Sequence, residues 1–311
     1  MTKHSSKPFT ELSGVEQSEL HGLPCLRVQT AAATGLVYLQ GAHIAEWTPR
    51  GQSPVLWMSG KASYQSGKPL RGGVPICFPW FGPHPTHQEY PQHGFARTTD
   101  FAYVGARLDG EGRAELEFML GENEKTRAFF PHAFEARLRV AFGQTLGLAF
   151  SVTNRGSASF DYEEALHTYF HVADVRKSAL IGLRGAKYLD KVRGMAEFSE
   201  SADALTLSGE TDRVYESAAA CTIADPLGRR SLVVEKAHSQ NTVVWNPWAE
   251  KAAKIADFEA SDWPKMLCVE SANVGRAKVS LAPGTTHTLE LTIRVGDVAL
   301  GRAINDELSP P

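Results

Sequence analysis

The feature that most constrains the fold is a strict alternation of apolar and polar residues over long stretches. Residues 134–142 (FEARLRVAF) and 289–295 (LELTIRV) place apolar side chains at every second position. This period puts apolar residues on one face of a β-strand and polar residues on the other. A single solvated face is typical of antiparallel sheets. We therefore predict an all-β chain of about fifteen or more strands, arranged as two large packed sheets.

Short turn sequences separate the predicted strands. Gly143-Gln144 has the length of a hairpin loop, and residues 225–228 (DPLG) suit a type I turn. Helical signals are few, at residues 248–260 and 299–308. The sequence predicts one domain over residues 21–298. We expect a poorly ordered N-terminal tail over residues 1–20, and a tail or short helix over residues 299–311.

Composition limits the classes of partner. The net charge of the 311 residues is −3, so no basic field attracts nucleic acid or an anionic membrane. No uncharged stretch is apolar enough for a membrane span. The four cysteines are far apart and form no CxxC motif, which predicts reduced thiols. No secretory signal is recognisable, so we expect a cytoplasmic protein, a monomer, whose partner is a small molecule.

One segment interrupts the alternation. Residues 71–98 (RGGVPICFPWFGPHPTHQEYPQHGFART) are rich in proline, glycine and aromatic residues, with three histidines and two arginines. A long irregular segment inside a compact domain is usually functional. The spacing of its histidines matches no established zinc pattern, so we predict no metal site.

Three further motifs stand out from the strand pattern. They are LHTYFHV (166–172), VVWNPW (243–248) and MLCVESAN (266–273). Together with RGGVPICFPWFG (71–82) and PQHGFAR (91–97), they resemble, in order, the motifs of the hexose-6-phosphate mutarotases, a branch of the aldose 1-epimerase superfamily. The resemblance covers roughly residues 24–295. It implies a β-supersandwich fold and an isomerase that needs no cofactor.

The two candidate catalytic residues lie on predicted strands. His167 shares a strand face with Tyr169, and a polar, aromatic face is ordinary for a sugar site. Glu270 continues an apolar strand face, where a carboxylate is costly unless it has a partner. On general grounds each residue could instead be structural, as a strand histidine satisfied by a hydrogen bond or a strand-end glutamate turned to solvent. The resemblance implies that His167 is the general acid and Glu270 the general base.

The exchange of α and β anomers determines which protonation states and which separation we expect for His167 and Glu270. The base takes the proton of the anomeric hydroxyl O1, the acid protonates the ring oxygen O5, and the ring opens to the aldehyde. We expect an imidazolium and a carboxylate that face each other across about 5–7 Å, a gap that lets each group reach its proton.

Arg71 and Arg97 carry the evidence for a phosphorylated substrate. Guanidinium groups are planar, multi-donor cations suited to phosphate, although most arginines lie at the surface. The resemblance assigns both to the phosphate. We expect Gly72-Gly73 to let the backbone approach a ligand.

The resemblance implies several further contacts to the sugar. Gln92 and His93 are expected to hydrogen-bond hydroxyl groups or the phosphate, and Asp190 to bind ring hydroxyls. A possible pocket wall is formed by aromatic and amide side chains, namely Phe81, Tyr169, Trp245 and Asn246, since aromatic faces suit the C–H surface of a sugar.

The leading hypothesis is a cofactor-free mutarotase for hexose 6-phosphates, with glucose 6-phosphate as the default substrate. One alternative is a mutarotase for unphosphorylated aldoses, which would keep His167 and Glu270 but give the arginines no ligand. Another is a non-catalytic sugar-binding or regulatory protein on the same fold, because fold does not imply function.

Overall fold

The computed structural model describes residues 9–296, and almost all of their regular structure is β-strand. The helical elements are short: α1 (Glu124–Phe129), α2 (Trp248–Ala252) and the 3-10 helices Ala96–Thr98, Val175–Lys177, Ala260–Lys265 and Gly275–Ala277. None of the helices within residues 9–296 is long and apolar enough to cross a membrane.

The strands follow one another at short intervals. Those of the first half of the chain are β1 (Val15–Leu20), β2 (Leu23–Gln29), β3 (Ala33–Tyr38), β4 (His43–Pro49), β5 (Ile76–Cys77), β6 (Ala102–Leu108), β7 (Ala114–Gly121), β8 (Phe134–Phe142), β9 (Thr145–Asn154), β10 (Phe160–Tyr162) and β11 (Glu164–Leu166). Those of the second half are β12 (Tyr169–His171), β13 (Ala179–Ile181), β14 (Lys187–Asp190), β15 (Ala196–Ser199), β16 (Ala204–Leu205), β17 (Thr211–Glu216), β18 (Cys221–Asp225), β19 (Arg230–Ala237), β20 (Asn241–Asn246), β21 (Met266–Asn273), β22 (Val279–Leu281) and β23 (Thr286–Gly296).

Two large antiparallel sheets dominate the architecture. One has nine strands in the order β16-β13-β18-β19-β23-β9-β8-β7-β6. The other has eight, in the order β15-β14-β17-β20-β21-β11-β5, with β12 also paired to β21. A four-stranded sheet (β1 to β4) and the β10-β22 pair complete the fold. The all-β prediction with two large sheets is confirmed.

The predicted alternation is what builds the core. In β8 and β23, Phe134, Leu138, Leu289 and Ile293 are buried beneath 2% exposure, while the charged positions between them point outward. Glu117 in β7 is an exception, since it is buried on the charged face. The guanidinium groups of Arg137 and Arg139 on the neighbouring strand cover its carboxylate.

One boundary prediction needs correction. The expected N-terminal tail is wrong for Val15–Leu20, which forms β1 and pairs along its whole length with β2. Its exposed and half-buried side chains do not alternate along the whole strand, and Val15 and Leu20 at its two ends pack against hydrophobic clusters. Residues 248–260 carry a helical signal that predicts a short helix or a loop with one or two turns, and the structure has the short helix α2 there, which ends at Ala252. The helix predicted over residues 299–308 and the tail over residues 299–311 lie outside the described residues.

Gly72 and Gly73 admit close contact, but with the protein itself. Both have positive φ angles, 120° and 60°. A Cβ atom would lie 2.4 Å from the carbonyl oxygen of Trp57 at the first glycine and 2.2 Å from that of Ile44 at the second. The two glycines therefore let the start of the irregular segment pass close to neighbouring backbone. The expected role, a close approach of the backbone to a ligand, is not what these contacts show.

A buried polar network links the strands β11, β21 and β23. Glu164 is fully buried, and its Oε1 accepts a hydrogen bond of 2.8 Å from the side chain of Asn273. Nε2 of His287 lies 2.9 Å from the same oxygen. The hydrogen bond with Glu164 raises the pKa of His287, because it favours the charged imidazolium.

This raised pKa predicts a pH-dependent contribution to stability. The pair stabilises the fold fully below the unfolded-state pKa of His287, about 6.5, and the contribution is lost as the pH rises through the higher folded-state pKa. Replacing His287 by glutamine should therefore lower the unfolding free energy most at pH 6, and progressively less at higher pH. Urea unfolding of both proteins from pH 6 to 9 measures the difference, and a difference that grows with pH would contradict the assignment.

Candidate active site

The eight-stranded sheet has two different faces. In β21, Leu267 and Val269 join the main hydrophobic core, whereas Glu270 lines a cavity of about 1020 Å³ on the opposite face. The irregular segment supplies another wall, because β5 pairs with β11 at the edge of this sheet. The fold therefore brings residues 71–93 and the centre of β21 to one cavity.

His167 and Glu270 meet in this cavity. His167 lies in the break between β11 and β12, where its backbone N–H donates to the carbonyl of Pro75 at 3.0 Å. Its Nε2 is 3.3 Å from Oε1 of Glu270. This contact is closer than the predicted gap of about 5–7 Å, since two buried polar groups that face each other pair directly. Both side chains are at least nine-tenths buried.

Burial shifts the pKa values of His167 and Glu270 against the charged states that the sequence suggests. The pKa of His167 lies well below its usual value, because burial and then the guanidinium groups of Arg97 and Arg71 disfavour the imidazolium. Burial raises the pKa of Glu270 well above its usual value, although Lys191 opposes the shift. Both pKa shifts oppose the expected imidazolium–carboxylate pair and favour a neutral imidazole and a neutral carboxylic acid.

The pair retains unused hydrogen-bonding capacity. Within the described part of the chain, Nδ1 of His167 and Oε2 of Glu270 are buried without a hydrogen-bond partner. A buried polar atom without a partner is costly. Such atoms are typical of a site that is completed by a polar ligand.

His93 is held in one tautomer beside this pair. Its Nδ1 accepts a hydrogen bond of 3.2 Å from the backbone N–H of Gly82 and lies 3.4 Å from Sγ of Cys77. An accepting Nδ1 leaves the proton of the neutral ring on Nε2. The His93 ring lines the cavity, with its centroid 5.7 Å from that of His167. His93 is therefore a hydrogen-bond donor to a ligand at this position.

The two predicted phosphate arginines lie in different surroundings. Arg71 lines the cavity, and its guanidinium donates to Asp257 at 3.2 Å and to the hydroxyl of Tyr169 at 3.1 Å. Arg97 is not among the lining residues; its Nη2 donates to the backbone carbonyl of Gln92 at 2.8 Å. Burial lowers the pKa of Arg97, and the nearby Arg71 guanidinium adds to this shift. Two cations therefore lie close enough to repel each other.

Most of the predicted wall residues line the cavity. Phe81, Tyr169 and Trp245 do so, and so does Gln92, which was predicted to bind the sugar or its phosphate. The Tyr169 ring stacks on His167 with the centroids 4.8 Å apart, and the Trp245 ring meets His167 edge-on at 6.2 Å. The aromatic wall thus fixes the imidazole and offers flat apolar surface to a sugar.

Asp190 does not reach the cavity. It is 3% exposed and accepts hydrogen bonds from the backbone N–H groups of Val192 and Arg193, at 3.0 and 3.2 Å. Its carboxylate also lies 3.5 Å from Nε of Arg213. The predicted sugar contact is replaced by a structural role in the turn between β14 and β15.

Asn246 is likewise buried away from the cavity. Its side-chain amide donates to the carbonyls of Trp263 and Met266 at 2.9 and 2.8 Å, and its oxygen accepts from the N–H of Trp248 at 2.8 Å. Asn246 therefore fixes the start of α2 and is not a wall residue.

The sequence reasoning missed a charged pair in the cavity. Lys191 and Asp212 both line it, with Nζ of Lys191 3.3 Å from the carboxylate of Asp212 and 4.6 Å from the Phe81 ring centroid. The strand period offered a signal for this, because Lys191 and Leu189 must point to the face opposite Asp190. These charges are placed to bind hydroxyl groups of a polar ligand.

Glu163 was also missed, and it joins two walls of the cavity. Its two carboxylate oxygens accept from the backbone N–H of Phe81 at 2.8 Å and from that of Gly275 at 2.6 Å. It therefore fixes the irregular segment against the loop that follows β21.

One group of side chains has the composition of a metal site. Ligand atoms of His167, Cys268 and Glu270 lie within 4.8 Å of one another. Burial, and next the neighbouring Glu270, raises the pKa of the Cys268 thiol well above its usual value, which disfavours the thiolate that metals bind. The four cysteines are all buried and unpaired.

The chain is similar to known proteins of one family. The family model described as aldose 1-epimerase matches residues 24–294. A protein named "Putative glucose-6-phosphate 1-epimerase" from Cenchrus ciliaris is 34% identical over 290 residues, which cover 89% of this chain and 85% of that protein. Its namesake from Escherichia coli K12 is 35% identical, over 83% of this chain and 85% of its own.

A solved structure shows the same fold. The crystal structure of "a putative mutarotase (YeaD)" from Salmonella typhimurium superposes with a TM-score of 0.86 at 32% sequence identity. The superposition covers 93% of this chain and 97% of that one.

Proposed function

The chain belongs to the aldose 1-epimerase family, and we propose that it interconverts the α and β anomers of hexose 6-phosphates, with glucose 6-phosphate as the default substrate. The observation that carries the proposal is the buried contact between His167 and Glu270 in a cavity that Arg71 also lines. A paired acid and base transfers protons in a reaction, which a protein that only binds a sugar does not need to do. Arginine favours a phosphorylated sugar over a neutral one.

The reaction needs two proton transfers and no net change of atoms. Glu270 takes the O1 proton while His167 gives a proton to O5, so the C1–O5 bond breaks and C1 becomes an aldehyde carbon. Rotation about C1–C2 presents the other face of the aldehyde. O5 then attacks C1, His167 recovers its proton and Glu270 returns one to O1. No cofactor enters these steps.

The neutral resting pair supports the same roles. Imidazole with carboxylic acid, and imidazolium with carboxylate, contain the same number of protons, and the 3.3 Å contact allows one to become the other by a single transfer. A substrate phosphate at Arg71 offsets the positive charge that disfavours the imidazolium of His167, and sugar hydroxyls that donate to Glu270 stabilise its carboxylate. Substrate binding would thereby bring the acid and base to the pKa range in which proton transfer is efficient.

The phosphate assignment predicts a selective loss of affinity. Changing Arg71 to glutamine removes a charge-assisted hydrogen bond worth about 1.5–3 kcal/mol, so KM for glucose 6-phosphate should rise about 10- to 150-fold. Arg193→Gln is the matched control, because Arg193 does not line the cavity and should leave KM unchanged.

Anomer exchange measured by NMR for glucose 6-phosphate and for free glucose tests the proposal against its nearest alternative. Acceleration confined to the phosphate ester supports it. Equal acceleration of both sugars, insensitive to the Arg71 change, would instead indicate a mutarotase for free aldoses.

A further inference from the structure

The guanidinium group of Arg71 is held by two other side chains. Its Nε donates a hydrogen bond of 3.2 Å to Oδ1 of Asp257, and its Nη2 lies 3.1 Å from the same oxygen. Its Nη1 donates to the hydroxyl of Tyr169 at 3.1 Å. A guanidinium carries five N–H groups in one rigid plane. These contacts therefore fix the orientation of the plane and leave N–H groups of Nη1 and Nη2 for a ligand in the cavity.

Asp257 is itself held in place through the residues that follow it. Phe258 is 1% exposed and packs in a hydrophobic cluster. The backbone N–H of Glu259 donates to the hydroxyl of Ser59 at 3.1 Å. The backbone N–H of Ser59 donates in turn to the carbonyl of Arg71 at 3.0 Å. The loop that carries Asp257 is therefore fixed to the chain segment beside Arg71.

Asp257 reaches the cavity through Arg71. Arg71 lines the cavity, whereas Asp257 is not among the lining residues. The negative charge of Asp257 opposes a phosphate at Arg71, but its hydrogen bond favours one orientation of the guanidinium. The Arg71 and Asp257 side chains are 23% and 24% exposed, so solvent screens the charge repulsion. Ordering a long side chain only when the ligand binds lowers affinity by up to about 10-fold, and anchors that order Arg71 in advance avoid this loss.

On the basis of the function proposed above, we propose that Asp257 is a positioning residue for recognition of the substrate phosphate. Together with the Tyr169 hydroxyl, it orients the Arg71 guanidinium before the phosphate binds. Asp257 makes and breaks no bond of the substrate. Its effect is therefore on affinity, and the proton transfers at His167 and Glu270 do not depend on it.

The test measures KM and kcat for glucose 6-phosphate in the NMR exchange assay. Asp257→Ala removes the anchor and should raise KM about 5- to 10-fold, while kcat stays within about 2-fold. Asp257→Asn keeps an oxygen that accepts from Nε of Arg71, so its KM should stay within about 3-fold of the wild-type value. Asp262→Ala is the matched control, because Asp262 pairs with Lys265 at 2.9 Å and does not line the cavity. It should leave KM unchanged.

A double substitution shows whether Asp257 acts through Arg71. Effects of two residues that act through one group are not additive. In Arg71→Gln protein, the further change Asp257→Ala should therefore alter KM by less than about 2-fold.

The outcomes separate this inference from the function beneath it. Wild-type protein that does not accelerate exchange of glucose 6-phosphate overturns both. If wild type accelerates it and Asp257→Ala leaves KM unchanged or lowers it, the positioning role is overturned and the proposed function stands. A 5- to 10-fold rise that persists in the Arg71→Gln background also overturns the role, because Asp257 then acts elsewhere. Asp257→Ser, which is too short to reach Nε of Arg71, repeats the test if the unfolding curve of Asp257→Ala shows that it does not fold.

Discussion

Replacing Glu270 by glutamine is expected to lower the enzyme-catalysed rate of anomer exchange by about 10²- to 10⁴-fold. Glutamine keeps the size of the side chain and can still accept a hydrogen bond, but it cannot take the O1 proton. Burial of the residue to 1% exposure means that water cannot easily replace the lost base. Magnetisation-transfer NMR on glucose 6-phosphate, corrected for the spontaneous rate in buffer, measures the effect.

A matched pair of histidine variants controls for unspecific damage to this part of the chain. His167→Asn should show a loss of similar size, because it removes the acid. His171 is four residues further on, is not among the cavity-lining residues, and is half-buried. His171→Asn should retain the wild-type rate. Equal losses in the two histidine variants, or full activity in Glu270→Gln, would contradict the assigned roles.

Replacing Arg230 by alanine is expected to destabilise the fold by about 3–5 kcal/mol. Nε of Arg230 lies 3.6 Å from the carboxylate of Asp225, and both side chains are almost fully buried. The guanidinium also donates to the carbonyls of Pro54 at 2.9 Å and His171 at 2.6 Å. Alanine would leave the Asp225 carboxylate buried without its cation.

The control for this change is an exposed ion pair. Arg184 and Asp203 lie 2.6 Å apart, with side-chain exposures of 66% and 76%. Exposed pairs contribute about 0–1 kcal/mol, so Arg184→Ala should scarcely shift the urea midpoint. If Arg230→Ala shifts the midpoint no further than Arg184→Ala, the buried pair does not stabilise the fold as described.

The alternation of apolar and polar residues was sufficient to predict the two large sheets, but it did not predict the strand β1. Alternation in β8 and β23 arises because each strand has one face in the core, so the pattern is present in the sequence itself. The strand β1 has no such pattern: its backbone pairs with β2 along its whole length, and Val15 and Leu20 at its ends pack against hydrophobic clusters. This strand forms because β2 lies beside it, and a local sequence pattern does not reveal that pairing.

The candidate site was predictable where motif and strand face agreed. His167, Glu270 and Arg71 line one cavity, as expected. Asp190 matched a motif, but the strand period turns it away from the cavity and presents Lys191 instead. The directions in which the pKa values of His167 and Glu270 are shifted depend on burial by distant segments, which no local stretch of sequence encodes.

The most direct test of the central claim is the exchange rate between α- and β-glucose 6-phosphate at equilibrium, measured by NMR with increasing amounts of wild-type protein. The proposed acid–base reaction at His167 and Glu270 predicts a rate that rises in proportion to protein concentration above the spontaneous rate. A rate that stays at the buffer value at every protein concentration would contradict it.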